Sequence, residues 1–391
     1  MGAEMDMQAA LLAGRRGRRL LYELVAASQL EQDTEGGGPA PVLGAFHDAA
    51  YLVAKERGDA VARFVAVPEG APVTTADLEP VMPTDAELAA LLGQVALPEP
   101  SLPTVRRALA ASVDAAMYWQ PPDGEDTLLG RADIIPALRR LAGALGPSRP
   151  VTGWTDACAR ADQWSITWDD VQGLGGPGPE QPVPSAAECL ARWKEQVVRE
   201  NGRRRRELRR PLRKLGSGPW WSTPPFGTVR STGRFADGTP VGLWCAEDGM
   251  GWRGAQLRRL SVPADAPVYE ITGPNSWAGL CRQYPLEVTA LRRRDWFDTT
   301  GRDGRWVIPN FSAVARDYAG VHLSIAGYLA TAGEVVPVDE HTASLIAGWD
   351  PDATYWLRDE TALVGQAQRW VLDDAGPGPD DWVRVRVRSS A

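Results

Sequence analysis

A chain of 391 residues is too long for one ordinary hydrophobic core, and it predicts two domains with room for a small third element. Its 44% hydrophobic and 24% charged residues are typical of a globular protein and exclude a disordered one. The formal net charge of −8 argues against an overall electrostatic attraction to nucleic acid or to an anionic membrane.

The sequence contains no segment that we interpret as a targeting signal or a membrane span. The first 21 residues place acids before arginines, whereas a signal peptide begins with basic residues and continues into an unbroken apolar stretch. No stretch approaches 18 uncharged apolar residues. We therefore expect a soluble protein in the cytoplasm, with no membrane contact.

The cysteines and histidines do not form the pattern of a structural zinc site. No CxxC pair exists, and only three histidines are present. We predict no metal site and expect buried free thiols at the four cysteines, which are Cys158, Cys189, Cys245 and Cys281.

The first 150 residues predict a mostly helical N-terminal domain. Thr84 and Glu87 have the spacing of a capping box, which marks the start of one helix. A loop is expected over 33–41 and a short strand over 62–68. Apolar residues recur at helical spacing in four segments, which are 7–29, 84–96, 101–119 and 127–146.

Residues 151–215 predict a connecting region between two domains. It begins with a strand over 162–168 and continues into a loop over 173–184 that is rich in glycine and proline. A long basic helix is then expected over 184–215, which Pro211 should end or kink.

Residues 216–391 predict a tryptophan-rich, mainly antiparallel β domain with a ligand cleft. Of the 16 tryptophans, all but Trp119 lie at or after residue 154. Helices are expected over 275–284 and 310–318, between strands at 227–232, 240–247, 255–262, 267–271, 320–325, 344–349, 354–358, 368–373 and 382–388. Runs of strands with few helices favour the α+β class.

Among side chains that carry chemistry, His322 and Ser324 would share one face of a strand. A histidine beside a hydroxyl suits general acid–base catalysis, and a core histidine satisfied by the backbone is the alternative interpretation. Asp350 and Asp352 are too few for a calcium loop, and an Asx-type turn at Asp350 explains them more simply.

Residues 203–214 form the strongest charge feature, with arginines at seven positions and one lysine. The simplest interpretation is a solvated helix end whose cations suit the helix dipole. Contact with a phosphate-bearing ligand or with RNA is the alternative. We rank it low because no aromatic residues are interleaved with the arginines, as they are in surfaces that bind single strands.

Four segments resemble a group of uncharacterised bacterial and phage-borne proteins. They are GPWWSTPP (218–225), VYEITGPNSWAGLCRQYP (268–285), WVIPNFSAVARDYAGVHLS (306–324) and LIAGWDPDATYWL (345–357). That group resembles the ADP-ribosyltransferase fold, a split β-sandwich that holds NAD in a cleft. The resemblance covers residues 216–358.

The resemblance implies site residues and a cofactor, NAD or a related nucleotide. In the family pattern a glutamate orients the ribose hydroxyl, and this chain has His322 in its place, with Glu270 and Glu334 as stand-in carboxylates. We assign catalytic roles to His322, Ser222 and Glu270, and cofactor contacts to Trp221, Thr223, Tyr318 and Ser324.

Three hypotheses follow from the sequence. The first is an ADP-ribosyltransferase-like enzyme with a nucleotide in the C-terminal cleft. The second is a non-catalytic protein with a degenerate cleft, whose helical N-terminal part recruits a protein partner. The third, which we rank last, is RNA binding through residues 203–214.

Overall fold

The computed structural model describes residues 6–32, 41–62, 80–96, 99–169, 184–373 and 381–385. It confirms the α+β class, with a mostly helical N-terminal part and mainly antiparallel sheets after it. The expected loops at 33–41 and 173–184 and the expected strand at 62–68 lie almost wholly outside the described residues.

The helices of the described residues fall into two groups. Seven precede residue 150: α1 (Met7–Ala13), α2 (Arg15–Gln32), α3 (Pro41–Arg57), α4 (Asp85–Gln94), α5 (Leu102–Asp114), α6 (Gly124–Leu129) and α7 (Ile135–Leu145). Six follow it: α8 (Ala186–Arg204), α9 (Val241–Trp244), α10 (Pro274–Gln283), α11 (Thr289–Thr300), α12 (Phe311–Asp317) and α13 (Ile325–Thr331).

Eight strands form a sheet in the order β12-β11-β3-β1-β2-β10-β7-β4. All its neighbours are antiparallel except β4 and β7, which run parallel. Its strands are β1 (Gln163–Trp168), β2 (Val229–Thr232), β3 (Gly254–Ser261), β4 (Val268–Ile271), β7 (Gly320–Leu323), β10 (Ala353–Trp356), β11 (Ala362–Asp373) and β12 (Asp381–Arg384).

A smaller four-stranded sheet has the order β5-β6-β9-β8. Its strands are β5 (Pro285–Glu287), β6 (Arg305–Pro309), β8 (Val336–Pro337) and β9 (Thr342–Ser344). Helix α11 lies in the chain between β5 and β6 and packs against β6, so this sheet supports one of the helices used in the site below.

Local sequence signals explain where several helices begin. Thr84 and Glu87 form the predicted capping box at the start of α4, and Ser185 and Glu188 form a second one at the start of α8. Helix α8 ends at Arg204, earlier than the predicted helix over 184–215, so Pro211 is not what ends it. The chain continues in two short 3₁₀ turns, Arg205–Arg209 and Leu212–Lys214.

One hydrophobic cluster includes residues from both the helical part and the β-rich part. Leu11 and Leu20 of the first two helices belong to it together with Leu329 of α13 and Trp349. The contact is close at Gly14, because a β-carbon there would lie 2.3 Å from the carbonyl oxygen of Leu329. The two parts therefore share a core at α1, α2 and α13.

Two predicted strands are wrong. The segment 240–247 is not a strand but contains the single helical turn α9, with Val241, Leu243 and Cys245 buried. A short apolar run fits a buried turn as well as a buried strand, so its pattern could not separate them. The expected strand at 344–349 is also wrong beyond Ser344, where β9 ends.

Among the described residues, the structure contains no helix that is both long enough and apolar enough to cross a membrane.

Candidate functional site

His322 lies between two carboxylates on the eight-stranded sheet. Its Nδ1 is 2.6 Å from Oε2 of Glu270, and its Nε2 is 3.2 Å from Oδ1 of Asp352. The imidazole is buried, whereas the two carboxylate side chains are about one quarter exposed, at 24% and 23%. We call these three residues the Glu270–His322–Asp352 triad.

The register of the strands produces this arrangement. Glu270 of β4 is paired with His322 of β7, and His322 is paired with Thr354 of β10, so the three side chains lie in a row on one face of the sheet. Cys158 lies over the row. Its backbone N–H donates to Oε1 of Glu270 at 3.1 Å, and its Sγ is 3.4 Å from the Thr354 hydroxyl.

Asp352 reaches the row from an unusual backbone conformation. Its φ of +59° lies in the left-handed region, which aspartate tolerates better than most residues. Its Oδ2 accepts hydrogen bonds from the Gly233 backbone N–H at 2.6 Å and from the Thr232 hydroxyl at 3.1 Å. All four carboxylate oxygens of the triad therefore have a partner.

The carboxylates determine the charge of the imidazole. Burial lowers the pKa of His322, but the hydrogen bonds and negative charges of Asp352 and Glu270 outweigh burial and raise that pKa to about 9. The imidazole is therefore protonated at neutral pH. A buried cation held by two hydrogen-bonded carboxylates joins strands β4 and β7 to the start of β10, and it has no free nitrogen to act as a base.

The structure brings His322 and Glu270 together but places the other residues assigned from the sequence elsewhere. Ser222 is fully buried, and its hydroxyl accepts a hydrogen bond from the Ala347 backbone N–H at 3.0 Å. Thr223 is buried near the Tyr355 hydroxyl. Because side chains alternate along β10, Tyr355 points to the face opposite Thr354 and His322.

Ser324 and Tyr318 have structural contacts. The Ser324 hydroxyl caps α13 by accepting a hydrogen bond from the Gly327 backbone N–H at 3.0 Å. Tyr318 packs edge-on against Tyr269, with ring centroids 5.2 Å apart. Trp221 differs from these residues, because it lines a cavity.

We call this cavity the Trp221 pocket, and it encloses about 710 Å³. Its lining residues come from Pro184, helix α8, the segment 218–226 and helix α11. Three aromatic side chains line it, those of Trp193, Trp221 and Phe226, and the Trp221 and Phe226 ring centroids are 5.4 Å apart. Its lining residues are Pro184, Cys189, Arg192, Trp193, Gln196, Val197, Glu200, Gly218, Pro219, Trp221, Pro225, Phe226, Leu291 and Arg292.

Arg292 is a buried cation with unused hydrogen-bond donors at this pocket. Its side chain is 2% exposed, and its Nη2 donates to the Trp221 carbonyl oxygen at 2.9 Å. Its Nε and Nη1 have no hydrogen-bond partner among the described residues. Burial lowers the pKa of Arg292 to about 9, so the guanidinium still carries its charge at neutral pH.

The surroundings do not neutralise Arg292 by direct contact. Asp295 and Glu200 raise the pKa of Arg292 through their charge, whereas Arg204 lowers it. Asp295 binds a backbone group instead, because its Oδ2 accepts a hydrogen bond from the Gly218 N–H at 2.9 Å. Unsatisfied buried donors are costly, so a site of this kind favours an anionic acceptor.

Sequence reasoning missed Arg292 and considered Asp352 only as a metal ligand. Arg292 lies in the run Arg292–Arg294, which has no motif, and only the packing of α11 separates the buried arginine from its half-buried neighbours. Asp352 could have been connected to His322 only through the pairing of β7 and β10. Within the described ranges, no group of three or more histidine, cysteine, aspartate or glutamate side chains could hold a metal ion.

Comparison with known proteins assigns the chain to no family, because no protein-family model, no curated protein and no solved structure matches it.

Proposed function

We propose that this protein binds a nucleotide, or a ligand that contains one, in the Trp221 pocket. The observation that carries the proposal is Arg292, a buried guanidinium at the pocket with two donor nitrogens that no described residue uses. A guanidinium binds phosphate with strong, charge-assisted hydrogen bonds. The rings of Trp193, Trp221 and Phe226 offer surfaces on which a nucleobase can stack.

NAD is one of the nucleotides that this pocket would suit. Transfer of ADP-ribose from NAD develops positive charge on the ribose, which a nearby carboxylate stabilises. Glu200 lines the pocket, whereas both oxygens of Glu270 bind Cys158 and His322. We therefore expect any transfer chemistry to depend on Glu200, so that Glu200→Gln would abolish turnover of NAD while binding persists.

Binding of the phosphate is tested by comparing AMP and NAD with adenosine, which lacks a phosphate. We expect AMP to bind at least about tenfold more tightly than adenosine, since a hydrogen bond to a charged group contributes roughly 1.5 to 3 kcal/mol. Quenching of tryptophan fluorescence gives the affinity. Alkylation of Cys189 gives an independent readout, because this thiol lines the pocket and the other three are buried.

Two variants of Arg292 provide the matched comparison. Arg292→Met removes the charge and should reduce AMP affinity to that of adenosine. Arg292→Lys keeps the charge but loses the planar fork, so it should retain part of the preference for phosphate. Equal affinities of AMP and adenosine for the unmodified protein, or ligands that leave the rate of Cys189 alkylation unchanged, would contradict the proposal.

A further inference from the structure

Residues 203–214 present an exposed surface of positive charge. Six of the seven arginines and Lys214 are exposed, and Arg204 is half-buried. Among the described residues, the only ion pair formed by this segment joins Arg205 to Glu287 at 3.9 Å. Most of the charge therefore faces solvent on a molecule whose formal net charge is −8.

This surface is continuous with the Trp221 pocket. Glu200 lines the pocket, and Arg203 and Arg204 follow it by three and four residues, which places them on the same side of α8. The Nη1 atom of Arg204 lies only 2.8 Å from where a β-carbon at Gly218 would be, and Gly218 also lines the pocket.

Helix α11 contacts both the Trp221 pocket and residues 203–214. Its Arg292 lines the pocket, and the next residue, Arg293, donates from Nη1 to the Leu208 carbonyl oxygen at 2.9 Å. Both 3₁₀ turns, Arg205–Arg209 and Leu212–Lys214, pack against this helix. The basic segment is thus held against a helix that lines the pocket.

We infer that the ligand is a single-stranded nucleic acid, with one base in the Trp221 pocket and its phosphates along residues 203–214. Surfaces that bind single strands combine aromatic rings for stacking with a positively charged groove. The arginines have no aromatic neighbours in the sequence, but Trp193, Trp221 and Phe226 line the same pocket as Gly218, which Arg204 approaches closely. This inference rests on the proposed function, because it identifies the nucleotide as part of a longer strand.

The strand also accounts for the amount of charge. A mononucleotide carries one phosphate group, which Arg292 alone can bind, and seven arginines with one lysine are more than it needs. Each phosphate neutralised along a single strand contributes about −0.7 to the slope of log K against log salt concentration. Four contacts predict a slope of roughly −3.

The test is fluorescence anisotropy with a labelled oligouridylate of twelve nucleotides, compared with UMP measured by tryptophan quenching. We expect the oligonucleotide to bind at least about a hundredfold more tightly than UMP at low salt. The variant with Arg203, Arg206, Arg209 and Arg210 all changed to Gln should lose most of that advantage and most of the salt dependence. Its affinity for UMP should stay within about twofold.

Two exposed arginines of the helical part, Arg139 and Arg149, provide the control, because changing both to Gln should alter neither affinity. Phe226→Ala removes an 85% exposed ring at the pocket and should weaken both ligands. Thermal melting of each variant confirms that it is folded.

The outcomes separate the inference from the proposed function. UMP that binds as tightly as the oligonucleotide overturns the inference and leaves the proposed function standing. If neither the oligonucleotide nor UMP binds, and neither AMP nor NAD binds, the inference and the proposed function are both overturned. Oligonucleotide binding that Phe226→Ala and Arg292→Lys do not weaken also overturns the inference, and so does equal affinity for a duplex of the same length.

Discussion

At the scale of single residues, His322 shows how two carboxylates can keep a buried imidazole charged. The side chain is 1% exposed, yet each ring nitrogen contacts a carboxylate whose other oxygen accepts a backbone N–H. Removing the imidazole leaves two partly buried carboxylates without the cation between them, which costs more than the network itself contributes. The triad is therefore expected to hold β4, β7 and β10 together.

Replacing His322 should accordingly destabilise the fold. We expect His322→Ala to lower the free energy of unfolding by about 3 to 5 kcal/mol, measured by urea denaturation at neutral pH. His341→Ala is the control, because His341 is exposed and its loss should change stability by less than about 0.5 kcal/mol. A loss below about 1 kcal/mol for His322→Ala would show that the triad does not hold the strands.

The triad also predicts a dependence on pH. The pKa of His322 is about 9 in the folded protein and about 6.5 in an unfolded chain. Because folding raises this pKa, the stabilisation is fully present below pH 6.5 and is lost as the pH rises through 9. The stability difference between the unmodified protein and His322→Ala should therefore shrink between pH 7 and pH 10. A difference that stays constant over this range would indicate a neutral imidazole.

Replacing Asp248 should stabilise the fold, which is the opposite of the effect expected for His322. Burial and the negative charges of Asp350 and Asp114 raise its pKa to about 7, so its ionised form opposes folding. The fold keeps its full stability while Asp248 is protonated. The stability is therefore highest below the unfolded pKa of about 3.8, and it falls as the pH rises through 7. Asp248→Asn should raise the melting temperature at pH 8, with a benefit that vanishes towards pH 4.

Asparagine also suits this position because Asp248 has a φ of +55°, in the left-handed region. Asp265→Asn, at an exposed aspartate, is the control and should leave the melting temperature unchanged. Differential scanning calorimetry from pH 4 to pH 8 measures both variants. A lower melting temperature for Asp248→Asn at pH 8 would contradict the argument.

At the scale of elements, the sequence predicted those whose signals are local. The capping box at Thr84, the helices near 275–284 and 310–318, and the strand near 162–168 all depend on neighbouring residues, and the structure contains each of them. The alternation along a strand also placed His322 correctly on β7.

Burial of charge altered the pattern of one helix that sequence reasoning missed. Helix α11 was not predicted, because Arg292 and Asp295 occupy its inner face, at 2% and 1% exposure, where apolar residues are expected. The candidate site was missed for the same reason. Its distinguishing residue is a fully buried arginine that only tertiary packing separates from the half-buried arginines beside it.

The pairing of distant residues was also beyond the sequence. Glu270 was named as a carboxylate that could act with His322, but the sequence did not reveal that β4 runs parallel to β7 and brings them within 2.6 Å. Asp352 completes the triad only because of its left-handed backbone. Ser222 and Ser324 carry the hydroxyls expected in a cleft, and both bind backbone groups in the core instead.

At the scale of the whole molecule, the helical part and the β-rich part meet at Gly14. A β-carbon at this residue would lie 2.3 Å from the Leu329 carbonyl oxygen, so Gly14→Ala should force α1 and α13 apart. We expect a loss of about 1 to 3 kcal/mol in the free energy of unfolding, measured by urea denaturation.

Gly44 provides the matched control for this substitution. It lies within α3, and a β-carbon there would meet no atom within 4 Å. Gly44→Ala should therefore raise stability by up to about 1 kcal/mol, since alanine favours the helix. If Gly14→Ala were equally stabilising, the two parts would not depend on close contact at this position.

The close contact between Gly14 and Leu329 has a consequence for the synthesis of the protein. Leu329 is synthesised more than 300 residues after Gly14, and ribosomes add roughly 5 to 20 residues per second, so α1 and α2 leave the ribosome about 15 to 60 seconds before α13 exists. During that time Leu11 and Leu20, which are fully buried in the finished fold, lack part of their packing surface. The first helices are thus an expected binding site for chaperones that act on nascent chains.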